Sequence, residues 1–215
     1  MRRLYGLLTL FLLPVVWVAF LWLSIKQPGY RQHFSRRLGY NLPPFESEKK
    51  QRLWIHAVSV GETLAIAPLV EMLLAKRPDI DLLITSTTPT GAEQVQRLFG
   101  HRVHNTWFPF DIRTAITRSL DHWQPSALIL VETELWPELI HQCRSRGIKT
   151  LLLNARLSAR SMGRYGRLGR LVKDAVSFLD YIACQHASDA QHFEALGAST
   201  DRLSVVGSLK FDMPK

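Results

Sequence analysis

Leu53-Trp54-Ile55-His56-Ala57-Val58-Ser59-Val60-Gly61-Glu62-Thr63, followed by apolar positions at Leu64, Ala67, Pro68, Val70, Leu73 and Leu74, holds the pattern that decides the fold. A short apolar run ends at a Ser/Gly corner, and apolar residues then recur three and four apart. That is the change from a buried strand to a helix with one apolar face. The unit repeats down the chain. Apolar runs at Leu82–Thr85, Val103–Phe108, Ala127–Val131, Thr150–Leu153, Tyr181–Cys184 and Leu203–Val206 are short, bounded by turns and separated by helical patterns such as Ile112-Ile116-Leu120. Strands apolar on both faces and alternating with helices predict an α/β fold, a Rossmann-like, doubly wound parallel sheet. Ligands of such sheets bind beyond the carboxyl ends of the strands.

The first 26 residues differ in kind. No charge interrupts Leu4 to Ile25, and the run includes Phe11, Trp17, Phe20 and Trp22. At roughly 1.5 Å per residue it can cross a hydrocarbon layer of about 30 Å. A cleaved signal peptide would have a shorter apolar core and small residues at its end, whereas this run ends in Trp22-Leu23-Ser24-Ile25-Lys26-Gln27-Pro28. A surface-lying amphipathic helix would need a polar face, and the run has none. Residues 1–26 therefore read as a membrane anchor, 27–50 as a juxtamembrane linker and 51–215 as the α/β domain. Lys26, Arg31, Arg36 and Arg37 outweigh Arg2, Arg3 and the terminal amine, which places that domain on the cytoplasmic side.

In a chain of 215 residues, 47% hydrophobic, wholesale disorder is excluded. The net charge of +9 points to anionic partners. Cys143 and Cys184 fit no metal or redox spacing and read as small buried hydrophobes. From Arg144 to Lys173 every charged residue is basic, and Arg156, Arg160, Arg164, Arg167, Arg170 and Lys173 fall three or four apart. One helix over 156–173 would gather them into a row, either a solvated surface or a contact for anionic inner-membrane lipid. With no nucleic-acid motif beside the charge, nucleic acid is not the expected partner.

The strand ends carry the chemistry. Ser59 and Glu62 have the spacing of a capping box, in which the carboxylate satisfies a backbone N–H. Glu62, aimed by a tight turn at Gly61, could equally be a general base at the mouth of the crevice. Thr85-Ser86-Thr87-Thr88-Pro89-Thr90-Gly91 suits phosphate or sugar hydroxyls at a helix start, or plain N-capping. Val131-Glu132-Thr133-Glu134-Leu135-Trp136-Pro137 sets two carboxylates directly after a buried strand, where they need partners or a ligand. No further cluster completes a metal set around them. Arg156 and Lys210 are natural anion contacts.

Read together, His56 to Thr63, Thr88-Pro89-Thr90-Gly91, Glu132 to Pro137, Asn154-Ala155-Arg156-Leu157-Ser158-Ala159-Arg160-Ser161 and Gly207-Ser208-Leu209-Lys210-Phe211-Asp212 resemble the Kdo (3-deoxy-D-manno-octulosonic acid) transferase family of Gram-negative bacteria. By that resemblance Asn would be expected at the position of Glu138. The resemblance implies the N-terminal, acceptor-binding half of a GT-B glycosyltransferase, with the donor domain outside this chain. It implies inverting, metal-independent transfer of Kdo from CMP-Kdo to the lipid A precursor lipid IVA at the bacterial inner membrane, with no cofactor. By the same resemblance Glu62 is the general base, Glu132 and Lys210 stabilise the transition state, and Ser59, Gly61, Thr88, Thr90, Gly91 and Arg156 bind substrate. The alternative is a truncated, non-catalytic, membrane-tethered module that binds anionic lipid.

Overall fold

The computed structural model describes residues 2–44, 49 and 51–209. Seven parallel strands form one sheet in the order β3-β2-β1-β4-β5-β6-β7: β1 Gln51–His56, β2 Ile80–Ser86, β3 His104–Trp107, β4 Ala127–Val131, β5 Lys149–Ala155, β6 Tyr181–Cys184 and β7 Leu203–Val205. Each strand expected from the sequence is present. The helices are α1 Arg2–Lys26, α2 Phe34–Arg37, α3 Val60–Lys76, α4 Pro89–Phe99, α5 Arg113–Trp123, α6 Pro137–Ser145, α7 Ala159–Arg167, α8 Arg170–Ser177 and α9 Ala187–Ala195.

Strand alternation sorts the core into two layers, one on each face of the sheet. Trp54, Leu83, Leu128, Leu130 and Leu152 point to one side, where Ile116 and Leu120 of α5, Leu139 and Cys143 of α6, and Val172 and Val176 of α8 cover them. Their neighbours Ile55, Ile84, Ile129 and Val131 point to the other, against Ile66 and Val70 of α3 and Val95 and Phe99 of α4. Both cysteines are free and buried. The chain runs from β1 outward through β2 and β3, then returns to lay β4 against the other edge of β1, with Trp54 flanked by Leu83 and Leu128. The direction of winding reverses between β1 and β4, which is where a doubly wound sheet opens its crevice.

Three expectations change. Residues 27–44, the described part of the segment read as a juxtamembrane linker apart from residue 49, pack against the domain: Arg37 is 1% exposed, Phe110 N–H donates to Arg37 O at 2.8 Å, and Phe34 meets the Phe110 ring at 5.3 Å. Gly39, at φ 75°, lets this segment lie close against α5: a Cβ there would sit 2.8 Å from Arg118 Cβ and 2.9 Å from Ala115 O. Second, the basic stretch is not one helix. Gly169, at φ 56°, separates α7 from α8, so Arg160 and Arg164 belong to a different axis from Arg170 and Lys173. Third, Leu4–Lys26 is long and apolar enough to cross a membrane, as an anchor requires, but α1 does not stand free of the domain. Tyr5, Gly6, Thr9, Leu13, Val16 and Phe20 are half-buried at helical spacing, and the Tyr5 hydroxyl donates to Asp111 Oδ2 at 2.8 Å.

Candidate active site

The crevice at the β1/β4 reversal is built from three loops tied together by backbone. Val58 O accepts from the N–H groups of Thr87 and Thr88 and from Thr88 Oγ1 at 3.0 Å, which joins the loop after β1 to the start of α4. Thr88 Oγ1 also accepts from Gly91 N at 3.1 Å. Gly91 is required there, since a Cβ would lie 3.0 Å from Val58 O. The hydrogen-bonding capacity of Thr88 is thus engaged in capping α4 and locking the loop, while Thr90 is exposed on the next turn.

Glu62 sits in the first turn of α3 and is 8% exposed. Its Oε2 accepts from Val58 N–H at 2.8 Å and its Oε1 from Ser59 Oγ at 3.3 Å. The capping box expected from the spacing is not formed: the N-cap Ser59 accepts no helix N–H, and Glu62 takes the N–H of Val58 rather than that of Ser59. Gly61 is helical, not the tight turn expected, and a Cβ there would meet only Ser59 Oγ at 3.9 Å. Gly61 itself is exposed, and its missing side chain lets another molecule approach the backbone there. Burial raises the Glu62 pKa to about 7; the Val58 N–H opposes this, and the charges of Glu134 and Glu132 add to it.

Glu132 and Glu134 arrive from β4. Glu132 takes a left-handed conformation, φ 62°, while its N–H donates to Leu153 O at 2.9 Å. For a non-glycine residue this costs on the order of 1–3 kcal/mol, and such positions cluster at functional sites. The turn is held by Thr133 Oγ1, which donates to Arg156 O at 2.7 Å, and by the Tyr165 hydroxyl, which donates to Thr133 O at 3.2 Å. Burial, and then the neighbouring charge of Glu132, raise Glu134 to about 7.

His56 completes the group from the end of β1. It is fully buried and its ring stacks on Phe108 at 3.6 Å. Nδ1 lies 3.0 Å from Thr85 O, a group that can only accept, so Nδ1 carries the proton. Nε2 then turns its lone pair toward Glu134 Oε2, 4.0 Å away. Burial lowers the His56 pKa to about 3, so the ring is neutral near pH 7.

The loops thus bring Ser59, Gly61, Glu62, Thr88, Gly91 and Glu132 to one edge of the sheet. The Arg156 side chain is exposed at its rim. Lys210 lies outside the described residues, but the preceding Leu209 N–H donates to Asn154 Oδ1 at 3.1 Å, at the end of β5. Asn154 is buried and left-handed, φ 54°. His56, Glu134 and Asn154 were not among the expected site residues. Each lay inside a quoted motif, and only the strand order reveals that they converge.

A family model described as 3-deoxy-D-manno-octulosonic-acid transferase (kdotransferase) matches residues 32–213. The 3-deoxy-D-manno-octulosonic acid transferase of Haemophilus influenzae is 37% identical over 216 residues, covering 99% of this chain and 49% of that protein. Its counterpart from Bordetella pertussis is 33% identical over 219 residues, covering 99% and 50%. The chain spans about half the length of these relatives. Among solved structures, UDP-GlcNAc 2-epimerase from Neisseria meningitidis, bound to UDP-GlcNAc, superposes with a TM-score of 0.55 at 10% identity, over 76% of this chain and 48% of that one. The S. aureus MnaA–UDP co-structure superposes with a TM-score of 0.56 at 12% identity, over 76% and 46%. These structural likenesses are of fold, a Rossmann-like domain of GT-B type. The sequence matches go further, and by them the chain belongs to the Kdo transferase family.

Proposed function

We propose that this chain is the acceptor-binding part of an enzyme that transfers Kdo from CMP-Kdo to the lipid A precursor lipid IVA, at the cytoplasmic face of the bacterial inner membrane, with α1 as its anchor. The observation that carries this reading is Glu62: a shielded carboxyl at the winding reversal, beside the exposed Gly61, with a pKa raised to about 7. A general base works best when its pKa lies near the working pH.

In this reading an acceptor hydroxyl oxygen attacks the anomeric carbon of Kdo, and its proton passes to Glu62. The bond from that carbon to the CMP phosphate oxygen breaks, and the electron pair leaves with CMP. Attack opposite the leaving group inverts the anomeric centre. Glu132 favours the positive charge that develops on the sugar, and Lys210 meets the negative charge on the departing phosphate. Asn154 fastens the backbone leading to Lys210 to the crevice. Ser59, Gly61, Thr88, Thr90, Gly91 and Arg156 shape the acceptor site, and Glu134 sets the charge felt by Glu62. A phosphodiester-linked nucleotide is a competent leaving group without metal help, and the reaction requires no cofactor. The donor domain belongs to the full-length protein, so residues 1–215 alone are inactive.

The test is transfer by the full-length protein. Incubated with CMP-Kdo and lipid IVA in the presence of EDTA, it should yield Kdo-bearing lipid and free CMP in equal amounts. CMP release with no change in the mass of the lipid, or no reaction with that donor, would remove the assignment.

A further inference from the structure

We propose that the cleft between α1 and the loop after β3 is a groove for one hydrocarbon chain of a phosphorylated lipid, with Arg37 as the seat of the phosphate. Only the identification of that lipid as the transfer acceptor rests on the function proposed above.

The cleft has a volume of about 310 Å³, with Leu13, Val16 and Phe20 of α1 on one side and Phe108, Phe110 and Trp136 on the other. This is within the usual range for small-ligand sites, roughly 300–1,000 Å³. Apart from Thr9, whose hydroxyl donates to the α1 carbonyls of Tyr5 and Gly6, its lining is apolar except at two places, and these differ. Asp111 is saturated: its carboxylate accepts from the Tyr5 hydroxyl and from the N–H groups of Glu138 and Leu139. Arg37 is not. It is 1% exposed, and among the described residues no carboxylate pairs with it. Its guanidinium donates to Thr87 O at 2.6 Å and lies over the rings of Phe20 and Trp107, at 5.1 and 4.5 Å. Arg37 Nε and Thr87 Oγ1 are buried without hydrogen-bond partners.

A buried cation without a counter-charge is costly. A ligand with an anionic oxygen group would relieve that cost, and the same ligand must be apolar elsewhere to fill the cleft. An alkyl chain ending in a phosphate meets both requirements. The surroundings point to a lipid rather than a soluble amphiphile, because the exposed residues of α1 from Leu4 to Ile25 are all apolar, with Phe11, Trp22 and Ile25 at 80%, 66% and 79% exposure. The groove therefore opens beside the surface that meets the bilayer. It also leads to the active site: Thr87 N–H donates to Val58 O, and Val58 N–H donates to Glu62. A phosphate on Arg37 and Thr87 would be held at the rim of the crevice.

The experiment uses full-length protein in phosphatidylcholine nanodiscs, labelled by dodecyl phosphate with a diazirine at the chain end. Adducts should concentrate on residues 13–20 and 108–112. Unlabelled dodecyl phosphate should compete, while dodecanol and inorganic phosphate each compete at least about tenfold less well. Val16→Trp, which fills the groove from the half-buried face of α1, should abolish these adducts. Arg37→Gln should weaken competition about tenfold, and Arg37→Lys should retain most of it. Should Arg37→Gln fail to fold, the comparison of dodecyl phosphate with dodecanol on the unaltered protein tests the same charge. Adducts spread over Phe11 and Trp22 and unchanged by Val16→Trp would mean bulk lipid contact and overturn the groove. Equal competition by dodecanol would overturn the phosphate seat. Neither readout uses sugar transfer, so labelling without transfer would fault the proposed function alone, and transfer without labelling would fault the groove alone.

Discussion

Asp111 and Glu62 are both carboxyl groups buried at a helix start, and both have raised pKa values, about 6 and about 7. Their surroundings nevertheless differ. Three donors converge on Asp111, at 2.8, 2.8 and 3.0 Å, from the start of α6 and from α1. Glu62 has one good donor and one long one, with two further carboxyls close enough to raise its pKa. Burial is the leading cause of both shifts, so burial does not distinguish them. Saturation does. A carboxylate whose lone pairs are met by fixed donors is part of the scaffold, whereas one left partly unmet among like charges is poised to take a proton.

The sharpest way to break that comparison is Glu62→Gln in the full-length enzyme. The amide cannot accept the acceptor's proton, so Kdo transfer should fall about 10²–10⁴-fold. Melting temperature should change little, because Gln suits the same helix position. Near-normal turnover would return Glu62 to the class of Asp111, and suspicion would move to Glu132. The converse substitution, Asp111→Asn, should spare the chemistry and damage the fold. Whichever way the amide turns, its N–H₂ faces the backbone N–H of Glu138 or of Leu139, a loss of roughly 1.5–3 kcal/mol. Thermal melting reads the effect directly. An unchanged melting temperature would show that saturation is not what makes Asp111 structural.

How much of this contrast could be read from the sequence depends on chain distance. Each strand is a short apolar run between turn residues, so all seven were legible locally. Glu132 and Glu134 stood out because carboxylates directly after a buried strand need a reason to be there, and Glu62 because of its spacing from Ser59 at a helix start. The catalytic roles of Glu62 and Glu132 came only with the family resemblance. What pairs with what was not legible. Glu134 meets His56 only because β4 returns to the edge of β1, and Tyr5 meets Asp111 across 106 residues of sequence. Arg37 looked like one more juxtamembrane cation until the packing of Trp107 and Phe20 enclosed it. The single helix expected over 156–173 carried a local warning: of its three glycines, Gly163 and Gly166 stay helical within α7, but Gly169 turns left-handed and breaks the row.

Glu134 offers a subtler test. Its pKa is raised from 4.5 to about 7, so between those values the native state holds a proton that the unfolded chain has released. Stability then falls as pH rises through that window, and the full penalty remains above it. Glu134→Gln lacks that penalty. The variant should be more stable than the parent by about 1–3 kcal/mol at pH 8, with the difference shrinking toward pH 5. His56 is present in both proteins, and its own titration cancels in the difference. Melts of the two proteins at both pH values provide the check. An equal difference at pH 5 and pH 8 would mean that Glu134, like Asp111, is accommodated by its donors.

The smallest expected effect belongs to Tyr5→Phe, which removes one of the three donors to Asp111 and leaves the ring. The loss should be about 0.5–1.5 kcal/mol. Near 1 kcal/mol, α1 would detach roughly fivefold more often, read as faster trypsin cleavage after Lys26 in detergent. The pH dependence carries the argument. The Tyr5 hydroxyl stabilises the charged form of Asp111, so removing it moves the Asp111 pKa further up from about 6. Between the old and new values the variant's native state binds the extra proton, so the penalty for losing the hydroxyl grows as pH rises and fades as it falls. A penalty that is the same at pH 5 and pH 8 would mean that α1 is held by its ring contacts, Phe20 against Phe34 and Phe110. Asp111 would then keep two effective donors, both from α6, the same number as Glu62, and donor count would no longer separate the two carboxyls.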